Sequence, residues 1–356
     1  MYLSIPKTFL VPIRYVEDIL YLEKVSILNE VNSYSDFINE TTKRKQPVIG
    51  ISLPNQKDPI WTNYKEAMEK YAKSKGVIVK EEVDSDDMNK QISQVENLIS
   101  QGIDILVVAP VESAAAATIV EKAHKAGIKV IAFDRLIENS DLDMYISVNG
   151  MRIGEFQGRY ITQKVPRGNY IILSGAPKDA NSKLLRDGAM KYIKPLVDKG
   201  DIKIVTDTEV NNWDPKNAFK IVEDSLIANN NKINAILAPN DGTAGGAIEA
   251  LQAQNLAGKA AVTGEDADLP AVQRIVEGTQ LMTVFKDPRK LSSATIDTAI
   301  KLINGEIIDV NGMINNGKMY VPAVFVEPIA IDKNNIDSEL INSGYYTKEQ
   351  VYKMKS

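Results

Sequence analysis

From Pro47 onward, short runs of apolar, β-branched residues alternate with longer stretches whose apolar positions recur every three or four residues. The short runs predict buried strands, and the longer stretches predict amphipathic helices. Residues 48–53 open the series and stop at Pro54-Asn55. The helix that follows places Tyr64, Met68 and Tyr71 on one face and closes at Gly76, because a helix end in the left-handed conformation favours glycine. Next come a strand over 77–83, a helix carrying Ile92, Val95 and Ile99 up to Gly102, a strand over 105–109, an alanine-rich helix up to Gly127 and a strand over 129–133. Apolar strands joined by helices of this length predict a parallel sheet covered on both faces.

One more strand, 144–148, follows the charged pair Asp134-Arg135, and after Asn149 the pattern starts again. Strands over 170–173, 202–210, 235–238, 260–263 and 282–285 alternate with helices near 183–192, 215–227, 244–254 and 269–276. Two similar α/β halves in tandem are therefore expected. A charged pair at the mouth of the first, followed at once by a crossing into the second, is the pattern of a cleft with a hinge. The helix over 289–303, with Ile296, Ala299, Ile300 and Ile303, is expected to return to the first half. The extended stretch 320–331 contains Pro322 and Pro328 and suits a further crossover. This divides the chain into a first lobe of 46–149 and 287–320 and a second lobe of 150–286 and 321–356.

Residues 1–45 read differently. Val16, Ile19, Leu20, Ile27, Leu28, Val31 and Ile38 predict one long amphipathic helix over about 13–38, since they recur at helical spacing. Its acids (Glu17, Asp18, Glu23, Glu30, Asp36 and Glu40) balance its bases (Lys7, Arg14, Lys24, Lys43, Arg44 and Lys45). Three uses stay open for such a helix: packing on its own domain, docking to a partner, or forming a juxtamembrane stalk. The basic run 43–45 before Pro47 marks a linker.

Composition narrows the chemistry. A chain of 356 residues suits two domains. With 42 Lys plus Arg against 47 Asp plus Glu, the net charge of -5 leaves no electrostatic footprint for nucleic acid. Zero cysteine excludes disulfides, thiolate nucleophiles, thiolate metal sites and lipid attachment through a cysteine. No apolar run reaches membrane-spanning length, and Pro6, Lys7 and Pro12 make the first residues a poor export signal. Such a signal was either removed or never there. Glycine-rich phosphate loops of the GxGxxG and GxxxxGK kinds are absent. Asp84, Asp86 and Asp87 lack the glycine and terminal glutamate of a calcium loop. His124, the sole histidine, lies in a helix tail and reads as solvated. No metal and no cofactor are expected.

In an open parallel sheet, ligands sit beyond the carboxyl ends of the strands. Those positions hold residues 55–61, Pro110, Asp134-Arg135, 179–181, Trp213, Asn240-Asp241, Asp266 and Lys286. Carboxylates, amides and a guanidinium can each pair with the hydroxyls of a neutral polyol. Aromatic rings cover its apolar C–H faces. Trp61 and Trp213 are the only tryptophans, and both stand in polar loop sequence. Competing readings exist. Asp134 and Arg135 would make a surface ion pair, and Lys286 would be a surface lysine of the hinge. Asp241 would cap the helix after it, leaving Asn240 for the ligand; Asp268 is a better cap for the next helix than Asp266.

The motifs AFDRLI, YISVN, APKDANSKLLRDG, NNWDPKNA, APNDGTAGGAIEAL, TGEDADL and TVFK, in this order, resemble the periplasmic D-xylose-binding proteins of pentose ABC importers over about residues 47–341. The resemblance implies the type I periplasmic binding protein fold: two doubly wound parallel-sheet α/β lobes, three hinge crossovers and a sugar buried between. It further implies that Trp61 and Trp213 stack on the sugar and that Arg135, Asp179, Asn181, Asn240, Asp266 and Lys286 bind its hydroxyls. One position departs. The family's arginine before the first stacking tryptophan is Ile60 here, which removes a hydrogen bond worth roughly 1.5–3 kcal/mol unless Lys57 replaces it.

The expected protein is a non-enzymatic, extracytoplasmic receptor for D-xylose or a related pentose that shows its closed form to a membrane partner. That partner is either the permease of an ABC importer or the sensor region of a histidine kinase. Anchoring to the membrane through a segment before residue 1 stays open. One alternative is the effector core of a sugar-responsive repressor, which needs a basic DNA-binding head that the neutral first 45 residues do not supply. Another is a sugar-modifying enzyme, but no nucleophile stands beside a base.

Overall fold

The computed structural model describes residues 46–54, 59–82 and 87–353. The expected helix over 13–38, Lys57, Asp84 and Asp86 lie outside the described residues. The first lobe is built from β1 (Val48–Ser52), α1 (Pro59–Ser74), β2 (Ile78–Glu82), α2 (Met88–Ser100), β3 (Ile105–Val108), α3 (Ala117–Lys125), β4 (Lys129–Phe133) and β5 (Met144–Val148). The chain then enters the second lobe: α4 (Gly150–Lys164), β6 (Gly168–Ser174), α5 (Ala180–Asp198), β7 (Ile202–Glu209), a 3-10 turn (Asn211–Trp213), α6 (Pro215–Ala228), β8 (Ala235–Leu237), α7 (Asp241–Ala253), β9 (Ala261–Val262), α8 (Leu269–Glu277) and β10 (Thr283–Phe285). It returns through α9 (Pro288–Asn304), β11 (Gly312–Asn315) and β12 (Tyr320–Val326), and ends with β13 (Ile329–Ile331) and α10 (Lys348–Tyr352).

Strand order in the first sheet is β11-β12-β5-β4-β3-β1-β2, parallel except for β11. The second lobe holds the parallel order β7-β6-β8-β9 and an antiparallel pair, β10 with β13. Side chains of successive strand residues point to opposite faces, and the apolar runs fill both. Ile49, Val107, Ile131 and Phe133 join α1 residues Tyr64 and Met68 and α9 residues Leu291 and Ile296 on one face. Val48, Leu106, Val108 and Val130 join Val95 and Leu98 of α2 and Ile119 of α3 on the other. Both faces being covered is why these strands read as unbroken apolar runs and not as alternation.

Three differences from the expected layout have physical causes. The extended stretch does not leave the first lobe at residue 320, because β12 pairs in parallel with β5 from Ala323 opposite Tyr145 to Val326 opposite Val148. Pro322 is accommodated inside that strand opposite Met313, and the crossing falls at Glu327-Pro328. Helix α4 was not expected at all. Its buried face consists of Gly150, Ile153, Gly154, Gln157, Gly158, Ile161 and Thr162, so small and polar residues hide the apolar period. Strand β11 is short and edge-lying, with Met313 exposed, and gives no burial signal.

Helices α4 and α5 approach at van der Waals distance between backbones. A methyl group added at Gly154 would collide with the Leu185 carbonyl, one at Gly158 with the Ala189 carbonyl, and one at Gly188 with the Met151 carbonyl. Gly154→Ala is expected to destabilise the protein by about 1–3 kcal/mol, the usual cost of overpacking. Gly242→Ala, whose added methyl meets nothing closer than 3.6 Å, is expected to be neutral or slightly stabilising. Urea unfolding midpoints of both variants check this, and equal midpoints would reject the packing role.

Candidate functional site

Three chain crossings bring the carboxyl ends of both parallel sheets to one cleft, partly open to solvent. All eight residues expected from the sequence, Trp61, Arg135, Asp179, Asn181, Trp213, Asn240, Asp266 and Lys286, line it. Ile60, Asp134, Leu185 and Glu265 line it as well. Of these, Glu265 and Leu185 carry no local signal in the sequence that marks them for the cleft, whereas Asp134 stands at the end of a predicted strand.

The first lobe contributes from α1 and the end of β4. Trp61 is buried near the start of α1, and the Arg135 guanidinium lies over its ring at 5.0 Å. Asp134 takes a left-handed backbone (φ 58°), unfavourable for a residue with a side chain. Three donors on its carbonyl oxygen hold it there: Tyr145 Oη at 2.9 Å, Ser147 Oγ at 2.8 Å and Asn181 Nδ2 at 3.0 Å. The turn points its carboxylate away from its neighbour. Arg135 therefore pairs across the cleft with Asp179, Nε to Oδ2 at 2.8 Å, and donates to the Pro110 carbonyl at 3.3 Å. The surface pair of Asp134 with Arg135 is not formed.

In the second lobe, helix N-termini carry several of the groups. Asp179 caps α5 by accepting from the Asn181 N–H at 3.0 Å. Burial pushes its carboxyl up, against the pull of Arg135 and that N–H bond. Asn181 Oδ1 is buried with no hydrogen-bond partner, a polar atom that a ligand hydroxyl would satisfy. Trp213 sits half-buried in a left-handed turn, with Asn212 at φ 57° and Trp213 at φ 55°. Its ring covers Gly175 so closely that a methyl group there would overlap the indole.

The capping roles at 240 and 241 are exchanged relative to expectation. Asn240 is the cap: its Oδ1 accepts from Thr243 N at 3.0 Å and Thr243 Oγ1 at 2.7 Å. Asp241 is buried instead as a scaffold group, accepting from Gln280 Nε2 at 2.8 Å, Thr283 Oγ1 at 2.9 Å and Asp268 N at 3.0 Å. It anchors the loop that carries Glu265 and Asp266. Asp268 precedes α8 but makes no side-chain cap bond. Lys286 is no surface lysine, being only 7% exposed.

The Lys286 ammonium reaches Glu265 at 2.9 Å, Asp266 at 3.0 Å and, from the other lobe, Asp134 at 3.4 Å. Tyr64 Oη also donates to Asp134 at 3.3 Å. Burial works against the ammonium, but the carboxylates of Asp134, Asp266 and Glu265 outweigh it and hold its pKa well above the ordinary lysine range. Burial, aided by the Asp266 carboxylate, pushes Glu265 up to about 8 despite Lys286. Asp266 is raised too, by burial first and Asp134 after it. Both cations of the cleft are thus matched by carboxylates, which leaves neither for an anionic ligand. No group of His, Asp and Glu that could hold a metal ion occurs among the described residues. No helix among them is long and apolar enough to cross a membrane.

A model of the periplasmic binding protein domain matches residues 49–307. The chain is 41% identical to the D-xylose-binding periplasmic protein of Haemophilus influenzae over 329 residues, 92% of this chain and 99% of that one. It is also 41% identical to the Escherichia coli protein of the same description over 313 residues, 88% and 95% of the two chains. Among solved structures, an ABC transporter solute-binding protein from Clostridium phytofermentans with bound β-D-glucose superposes with a TM-score of 0.80 at 33% identity, covering 85% of this chain and 99% of that one. A carbohydrate transporter solute-binding protein from Chloroflexus aurantiacus in complex with D-glucose gives 0.82 at 32% identity, with 86% and 98% covered.

The raised Glu265 carboxyl makes stability depend on pH. Between its ordinary value of 4.5 and about 8, the unfolded chain has released a proton that the folded chain keeps. The folded state then binds more protons, so this group lowers stability as pH rises through that window. Glu265→Gln removes the penalty. Its urea midpoint relative to the parent is expected to move in its favour from pH 5 to pH 8, and a constant difference across that range would refute the assignment.

Proposed function

We infer the function from a plain premise: this chain belongs to the periplasmic binding protein family. It is a non-enzymatic sugar receptor that acts outside the cytoplasm. We propose that its sugar is D-xylose or a closely related monosaccharide, held between the lobes by Trp61 and Trp213 on its faces and by Arg135, Asp179, Asn181, Asn240, Asp266 and Lys286 at its rim. The observation that carries the proposal is the meeting of two indoles and eight polar side chains from both lobes at one cleft whose cations already have carboxylate partners. A neutral ligand with many hydroxyls suits such a lining. The names of the relatives at 41% identity favour D-xylose.

Binding works through the hinge. Asn181 Nδ2 on the Asp134 carbonyl, Arg135 on Asp179 and the Ser113 Oγ bond from Ala180 N at 3.0 Å join the lobes around the cleft. A sugar that touches both lobes only when they are shut favours the closed form by its extra contacts there. The closed form is then what the membrane partner reads. We propose the permease of an ABC importer as that partner, in line with the solute-binding proteins it resembles. The histidine-kinase sensor is the reading set against it.

Because the chain holds just two tryptophans, and both line the cleft, its intrinsic fluorescence reports the site. D-xylose is expected to change the emission saturably with a midpoint below millimolar. Trp213→Ala is expected to weaken binding about tenfold, the scale of one aromatic face, while the unfolding midpoint stays close to the parent's because the ring is half-buried. A flat titration at millimolar D-xylose would sink the proposal.

A further inference from the structure

Among the twelve residues lining the cleft, eight are polar or charged and two are the indoles, which leaves Ile60 and Leu185 as the aliphatic pair. Each is 3% exposed. They come from different lobes, Ile60 from α1 and Leu185 from α5, yet both belong to one apolar cluster with Trp61. Neither side chain carries a donor or an acceptor, and the glycine-mediated contact of α4 with α5 fixes Leu185 in place. A hydroxyl turned toward this corner would leave water for a surface that cannot replace the lost bonds. A bare ring carbon would lose nothing there.

We propose that Ile60 and Leu185 are specificity-determining residues, forming an apolar corner that selects a sugar with an unsubstituted or purely hydrocarbon carbon at that position over one bearing a hydroxymethyl group. The corner rests on the sugar-receptor reading above and deepens it. With the fifth ring carbon taken, as part of the proposal, to face this corner, the ligand class becomes aldopentopyranoses, with 6-deoxyhexoses next and aldohexoses last. For the D-xylo series, the three groups at the fifth carbon are hydrogen, methyl and hydroxymethyl, all other hydroxyls being the same. The series therefore separates bulk from polarity. Exclusion by size would reject the methyl and hydroxymethyl sugars alike; exclusion by polarity sets them apart.

Isothermal titration of the full chain with D-xylose, 6-deoxy-D-glucose and D-glucose tests this. D-xylose is expected to bind most tightly, and 6-deoxy-D-glucose at least about tenfold more tightly than D-glucose, as expected for a hydroxyl buried without a partner. In Ile60→Thr, close in size and carrying a hydroxyl, that gap is expected to narrow while D-xylose still binds. D-glucose equal to or tighter than 6-deoxy-D-glucose in the parent would overturn the corner's role, as would an unchanged gap in a folded Ile60→Thr variant. The parent series stands even where the variant fails to fold. If none of the three sugars binds, it is the receptor reading that fails, and the two failures are told apart.

Discussion

Lys286 stands where the chain leaves β10, and its ammonium gathers Glu265 and Asp266 from one lobe and Asp134 from the other onto a single buried point. Three buried carboxylates so close together repel one another and resist desolvation. They stay because one fixed cation sits among them and because Glu265 is pushed toward its neutral form. Around that point the backbone is bent into left-handed turns, at Asp134, Asp266 and Ala267. The last two are held by partners brought from elsewhere: Asp266 N donates to the Val284 carbonyl at 2.8 Å, Ala267 N donates to Thr283 Oγ1 at 3.2 Å, and the Ala267 carbonyl accepts from Tyr346 Oη at 3.0 Å. Such strain is tolerated where the surroundings over-determine it, and here they lock the cleft-facing side chains in place.

The same logic explains why helix caps and site residues coincide. Asp179 and Asn240 each spend one oxygen on the first turn of a helix, and each also faces the cleft. The cap fixes the rotamer, so the remaining polar atoms are aimed without further support. Asp241, one residue along, is turned inward and ties α7 to β10 and to the loop before α8 through its three donors. Rigid support behind a polar lining is what allows discrimination between sugars that differ by one group.

Much of this was legible in the chain. The strand runs around Ile49, Val107 and Ile131 announced a sheet buried on both sides, and the polar ends of those runs marked the cleft. What stayed hidden was hidden for definite reasons. Helix α4 buries glycines and Gln157, so its period carries no hydrophobic signal. Pro322 signals a break but sits within a strand. Adjacency of Asp134 and Arg135 in sequence says nothing of a left-handed turn that sends the two side chains to different partners, Lys286 and Asp179. Nothing local distinguishes Glu265 from Asp266; only the meeting of β10, β4 and the loop between β9 and α8 makes it part of the same charge cluster.

The order of strands in the first sheet has a consequence for how the protein is made. Residues 48–148 supply five of its seven strands, but α9 covers one face and β12 pairs with β5 only after β6 to β10 of the second lobe have emerged from the ribosome. Until then Ile131 and Phe133 lie under an incomplete cover and the free edge of β5 is unpaired, a state prone to wrong association. The second lobe is finished later still, because β13 pairs with β10, and Leu340 and Val351 join Ile275 and Phe285 in its core, only after β12 has been made. Both lobes therefore wait for segments near the end of the chain, and neither core is complete until synthesis is almost over.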